Sequence, residues 1–358
     1  MPDGLTPDWL TEALRDRGVL APGVTITGVA ASQVGEGVGM MSELSRLTPT
    51  YDGPATDAPR SFIAKYASRN PTNRRIAMSF NLYEREVRYF AELDALTGAR
   101  CPDTYLTELD GDGFLILMED MAGYRVGNQI AGATLEETCI AIDELAKLHA
   151  AFWNNVDGIS WIPHVHGSQH ARNMRAGAES GWQTMVSLFG ECLSPAVLAM
   201  RDDLLTSIEP LQKTMDQPPL TLSHGDFRME NFLFGTRPEH HPMVLIDWQG
   251  PLIARGVQDV ALLLGQSARV EVRRRHEREL LRRYLHGLAR RGVADYGFDA
   301  AWVHYRQAML YNWAYATVVS GTLDATNERG FAWMAEMVAR QSAATEDLDL
   351  IEMLPFRA

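Results

Sequence analysis

Cysteine is scarce in this chain: three residues among 358, Cys101, Cys139 and Cys192. Their odd number and scattered positions exclude a disulfide framework and a thiolate metal site, and fit a cytoplasmic, reducing setting. No apolar run is long enough for a membrane span. Met1-Pro2-Asp3-Gly4-Leu5 also lacks the basic-then-apolar order of a secretory leader. Positive charge is short, with 33 Lys and Arg against 46 Asp and Glu and a net charge of −13 at pH 7. That balance argues against nucleic acid as a partner. The Arg-rich stretch 273–291 reads instead as an amphipathic helix, with Leu280, Leu281, Leu285 and Leu288 on its apolar side. No internal repeat or low-complexity segment is visible. What remains is an ordinary globular composition, 46% hydrophobic and 22% charged, in a chain long enough for two lobes or domains.

The densest polar signal is Ser223-His224-Gly225-Asp226-Phe227-Arg228-Met229-Glu230-Asn231. After it, Val244-Leu245-Ile246 leads into Asp247-Trp248-Gln249. Phosphoryl transfer from Mg·ATP calls for such a set. One carboxylate, Asp226, orients and deprotonates an attacking hydroxyl. The amide oxygen of Asn231 and the carboxylate of Asp247 hold Mg²⁺. His164, His166, His170, His240 and His241 are set aside as metal ligands, because oxygen donors at the chemistry favour a hard cation.

Upstream, a short helix is expected from Trp9 to Arg17 and a strand from Val24 to Val29. Gly35, Gly37 and Gly39 alternate between two strand-like runs, where glycine permits close backbone approach and turn amides can cradle phosphate oxygens. Lys65 lies inside the strand Ser61–Tyr66. Asn70-Pro71 opens a helix whose stripe is Ile76, Phe80, Tyr83, Val87 and Phe90. Glu84 and Glu86 flank that stripe on opposite sides; either could reach Lys65, and helix geometry does not choose. Such a pair would fix the lysine against the α- and β-phosphates. Runs 105–108 and 114–119 form a hairpin, and Thr134-Leu135-Glu136-Glu137 is a capping box opening a helix that includes His149, read as a structural residue.

With these residues in order, the chain resembles the aminoglycoside phosphotransferase and choline kinase superfamily, and within it most nearly the ecdysteroid kinase-like branch. The resemblance implies an α+β, protein-kinase-like, two-lobed fold: a mainly β N-lobe with one long helix over residues 1–118, a hinge over 119–125, and a larger helical C-lobe over 126–358. It implies ATP and Mg²⁺ as cofactors, with adenine on backbone groups near Glu119 and Met121. It selects Glu86 as the partner of Lys65, and it gives Asp259 a structural place near the catalytic loop. Gly225 stands where protein kinases carry an arginine that reads an activation-loop phosphate. Only 11 residues separate Asp247 from Asp259. A small hydroxylated molecule, rather than a protein, is therefore the expected acceptor. The alternatives are an aminoglycoside-type antibiotic kinase, for which Glu346, Asp347, Asp349 and Glu352 offer carboxylates, and a nucleotide-binding scaffold without turnover. Trp182, Met185, Phe189, Trp302, Tyr305, Met309, Tyr311, Trp313 and Trp333 are the candidates for the acceptor-pocket lining and would favour an acceptor with apolar surface, although residues of these types at helical spacing more often fill a core than line a pocket.

Overall fold

Strands β1 (Thr25–Val34), β2 (Ser42–Asp52), β3 (Phe62–Ala67), β4 (Thr104–Asp110) and β5 (Gly113–Glu119) form one antiparallel sheet in the order β1-β2-β3-β5-β4. The computed structural model describes residues 4–35, 41–53, 57–111, 113–323 and 327–357. The chain divides into two units: Met1–Asp94 with Cys101–Gly123, and Ala95–Arg100 with Tyr124–Ala358.

In the first unit β5 reads as a near-continuous apolar run because both of its faces are covered: Phe114 to Met118 are all buried. Helix Pro7–Asp16, capped by Thr6, lays Leu10 and Leu14 on the sheet beside Leu47, Phe62, Ala64 and Leu117. Thr11 Oγ1 accepts the Ile26 N–H at 2.9 Å and ties this helix to β1. Asn70 caps the next helix through Thr72 N and Asn73 N. That helix stops at Ser79, and a second runs Leu82–Arg88. The expected long helix is thus in two pieces. Asn81 between them takes φ +55°, a left-handed conformation that asparagine tolerates and that a continuous helix cannot contain.

The second unit is helical. Helix Leu135–Ala151 opens with the expected capping box: Thr134 Oγ1 accepts the Glu137 N–H at 3.2 Å, and Glu137 Oε2 accepts the Thr134 N–H at 2.9 Å. It packs against helix Val270–Ala289. Helix Phe298–Thr322 packs against helix Gln169–Phe189, with backbone contact where Gly181 meets Gly321; a Cβ on Gly321 would strike the carbonyl of Gly181. Two small sheets complete the unit. One is β6 (Arg125–Val126), β8 (Phe232–Phe234) and β9 (Met243–Leu245) in the order β6-β8-β9; the other pairs β7 (Thr221–Ser223) with β10 (Leu252–Ala254). Arg125 lies in a strand of this unit, and residues 95–100 also fall here.

Candidate active site

In the first unit, β3 is flanked by β2 and β5, and Lys65 faces Leu44 and Ile116 across the two ladders. Its ammonium donates to Glu86 Oε1 at 2.6 Å, with both side chains almost fully buried. Tyr83 stacks on Phe114 of β5, centroids 4.6 Å apart, and this seats helix Leu82–Arg88 so that Glu86 turns inward. Glu84 faces the other way, accepting from Asn81 Nδ2 at 2.8 Å and lying 3.7 Å from Arg88. Gly35 has φ +71°, a value that favours glycine. Gly37 and Gly39 lie outside the described residues. Glu119 ends β5, where its N–H donates to Asp103 O at 2.8 Å and its Oε2 accepts the Asp103 N–H at 3.2 Å; Met121 follows, partly exposed. Asp120 is occupied by Arg46 and Ser61 at 2.6 and 2.7 Å; burial works against its charge, but the hydrogen bonds from Arg46 and Ser61 outweigh it and hold its carboxyl below the usual range.

In the second unit, β7 delivers His224 and β8 begins just after Asn231, so residues 224–231 form the loop between them. Phe227, Met229 and Phe232 are buried and anchor the loop; Asp226 and Arg228, alternating with them, stay partly exposed. The register of β8 with β9 sets Phe232 opposite Leu245. One step further, the Ile246 N–H donates to Asn231 O at 3.0 Å, which brings Asp247 beside Asn231. Asp247 itself has φ +66°. Gly225 has φ +78°, and a Cβ there would drive into the carbonyl of Gly250. That close approach requires glycine on steric as well as conformational grounds.

Asp259 fastens the loop from behind. Its Oδ2 accepts the His224 N–H at 2.7 Å and its Oδ1 the Gly225 N–H at 3.0 Å. His149 Nε2 lies 3.2 Å from Asp259 Oδ2, and its Nδ1 meets the Tyr284 hydroxyl at 2.8 Å, so His149 serves structure. Burial lowers the pKa of His224, outweighing the carboxylates around it. The neutral ring donates from Nε2 to Ile246 O at 3.1 Å and accepts the Asp226 N–H at Nδ1, 3.3 Å away.

Asn231 Nδ2 donates to Asp226 O at 2.8 Å and to Asp226 Oδ2 at 2.9 Å, leaving the amide oxygen for another partner. The Arg228 guanidinium lies 3.1 and 3.2 Å from the two Asp226 oxygens and 2.9 Å from Glu230 Oε2, and it stacks 4.6 Å from the centre of the Trp333 ring. Burial opposes the charge on Arg228, but the surrounding acids outweigh it and raise its pKa. Arg329 donates to the other Glu230 oxygen at 3.1 Å. The Tyr315 hydroxyl donates to Asp226 Oδ1. Burial, and then the Asp226 charge, push this phenol well above its ordinary pKa, so it stays protonated. Sequence reading missed Tyr315, Arg329 and the roles of Arg228 and Glu230. The last two lie inside the quoted motif; the first two lie about a hundred residues downstream with no spacing to betray them.

Most of the candidate acceptor-lining residues belong to the core. Trp182, Met185, Phe189, Tyr305, Met309, Tyr311, Trp313 and Trp333 are at most 2% exposed and build the core of the helical unit. Trp302 lies under the Arg278 guanidinium at 4.1 Å. At helical spacing such residues fill space between helices before they line anything. Of the C-terminal acids, Asp347 is engaged by Arg273 and Arg274.

Residues 36–293 match the model of the ecdysteroid kinase-like family. The chain belongs to that family. It is a phosphotransferase of the class that acts on alcohol groups of small molecules. Comparison with curated proteins gives no match. Among solved structures, it is similar to a choline kinase from Cryptosporidium parvum (10% identity, TM-score 0.57, covering 96% of this chain and 98% of that one). It is similar also to an ethanolamine kinase from Plasmodium vivax (12%, TM-score 0.53, covering 90% and 84%). A third is a gentamicin complex of an aminoglycoside phosphotransferase (15%, TM-score 0.51, covering 96% and 99%). These likenesses establish the protein-kinase-like α+β fold.

Proposed function

We propose that this protein transfers the γ-phosphoryl group of ATP to a hydroxyl of an uncharged organic acceptor. The reading rests on one observation above others: the Asp226 carboxylate and the Asn231 amide are locked together, with Asp247 brought alongside by the β8–β9 register. Asp226 receives the acceptor's proton. Lys65, held by Glu86, binds the α- and β-phosphates, Gly35 contributes its backbone to holding them, and Glu119 and Met121 offer backbone groups to adenine. The donor set fits Mg²⁺, because the Asn231 amide oxygen and the Asp247 carboxylate are hard ligands on adjoining segments. Bound there, the cation would neutralise charge on the phosphates.

Two of the similar structures are kinases of choline and ethanolamine and a third holds gentamicin, all cationic molecules. Here the acid beside Asp226 is engaged: Glu230 has Arg228 on one oxygen and Arg329 on the other. A desolvated cation needs a carboxylate of its own, and Glu230 is not available for one. This favours a neutral acceptor. No disulfide joins the cysteines, which suits a cytoplasmic setting. No helix among the described residues is long and apolar enough to cross a membrane.

The test is a turnover screen with Mg·ATP against neutral alcohols, amino alcohols and aminoglycosides. Transfer to a neutral alcohol with kcat/KM of at least about 10⁴ M⁻¹s⁻¹ supports the proposal. Comparable efficiency on an aminoglycoside alone rejects the neutral-acceptor reading, and tight nucleotide binding with no transfer to any acceptor indicates a scaffold.

A further inference from the structure

Asp226 holds a hydrogen bond that the proposed chemistry does not use. Its Oδ2 accepts from Asn231 Nδ2 and from Arg228 Nε, at 2.9 and 3.2 Å; its Oδ1 accepts from Arg228 Nε at 3.1 Å and from the Tyr315 hydroxyl. A base oxygen has to receive the O–H of the attacking group, so one of these donors must give way. Asn231 is fixed by a second bond to Asp226 O and by the Ile246 N–H on its own carbonyl. Arg228 is fixed by Glu230 and by the Trp333 ring. Among the described residues the Tyr315 hydroxyl has no such second restraint, and it presents to Oδ1 the same chemical group that an acceptor alcohol would present. It projects from helix Phe298–Thr322, beyond residues 36–293 that match the family model.

We propose that Tyr315 holds the place of the acceptor's hydroxyl: it occupies Asp226 Oδ1 while no acceptor is bound, denies that position to water, and yields it to the incoming alcohol. The inference rests on the kinase reading of Asp226. The wasteful reaction it suppresses is hydrolysis. There, a water oxygen bonds to the γ-phosphorus, the water proton passes to Asp226 Oδ1, and the bond to the β-phosphate oxygen breaks to release ADP and phosphate. With the phenol on Oδ1, water has no base. Tyr315 is a positioning residue in this account, selecting an alcohol over water.

The full-length Tyr315→Phe variant removes the hydroxyl and keeps the ring. With Mg·ATP and no acceptor, ADP release should rise on the order of threefold to tenfold, the weight of one net hydrogen bond. Mg·ADP affinity by calorimetry and the unfolding midpoint should stay at wild-type values. Asp226→Asn should bring the release down to the same floor in either background. A loosened fold lowers turnover, so a purely structural role does not produce the rise. Unchanged or reduced hydrolysis in Tyr315→Phe, with ADP affinity intact, overturns the inference and leaves the kinase reading standing. Absence of nucleotide binding in the wild type removes both. Tyr315→Met repeats the test should the phenylalanine variant not fold.

Discussion

Asn231 gives its side-chain amide hydrogens to a single residue, Asp226, once at the backbone carbonyl and once at the carboxylate, 2.8 and 2.9 Å away. The orientation of the proposed base is therefore coupled to that of a proposed cation ligand. Replacing Asn231 by Ala should disturb both. The Mg²⁺ concentration for half-maximal turnover should rise at least about tenfold, and kcat should fall even at saturating Mg²⁺. A Mg²⁺ titration of turnover checks this; a change in one parameter alone contradicts the coupling.

Asp226→Asn keeps the shape of the side chain and removes its basicity. Turnover should drop by about 10²- to 10⁴-fold, the usual weight of a positioned base. Mg·ADP affinity, measured by calorimetry, should change less than about threefold. Retention of more than about a tenth of kcat would assign the base elsewhere.

Lys65 and Glu86 are a buried pair with side chains 7% and 1% exposed. Breaking one side leaves an uncompensated charge, so Lys65→Met should cost about 3–5 kcal/mol of stability. Replacing both, as Lys65→Met with Glu86→Leu, should restore most of that loss, because a well-packed apolar pair replaces a buried ionic one at little net cost. Nucleotide affinity should remain weak in both variants. Denaturant unfolding beside calorimetric ADP titration separates the two effects; recovery of affinity in the double variant would exclude Lys65 from phosphate binding.

Burial, and then the Arg255 charge, lower the His304 pKa to about 4, while Tyr296 meets its Nδ1 at 2.9 Å. Burial lowers His224 as well. The unfolded chain takes up these protons near pH 6.5, so it binds more protons than the folded one below that point. The stability contributed by the neutral rings is complete above about pH 6.5 and is lost as the pH falls toward 4. The unfolding midpoint should fall across that window, before the acid loss expected from paired carboxylates such as Asp347, whose pKa is lowered by Arg274 and Arg273. His304→Gln should flatten part of the fall. A midpoint constant from pH 6.5 to 4.5 would contradict the assignment.

The loop proposed to carry catalysis is local in sequence: Asp226, Asn231 and Asp247 fall within 22 consecutive residues, and a two-strand register is enough to bring them together. The capping box at Thr134 and the asparagine cap at Asn70 were equally local and were read correctly. The break at Asn81 was not legible, since the apolar stripe continues through it from Phe80 to Tyr83. Nor was the occupation of Asp226 by Tyr315, which depends on how a 25-residue helix docks across a glycine contact at Gly321. The aromatic and methionine stripe left pocket and core both open, because composition does not distinguish the wall of a cavity from the space between helices; the structure takes the core side, which helical spacing favours.

The contact between Gly225 and Gly250 has an evolutionary consequence. A side chain at position 225 cannot be accepted while the Gly250 carbonyl stays where it is. Acquiring the arginine that protein kinases use there to sense a phosphorylated loop would demand a new backbone path at both positions at once. No single substitution at Gly225 connects this loop, proposed to be catalytic, to that form of control. Selection acting one residue at a time would instead find its adjustments at side chains that can change without moving backbone, and Tyr315 and Arg329 are of that kind.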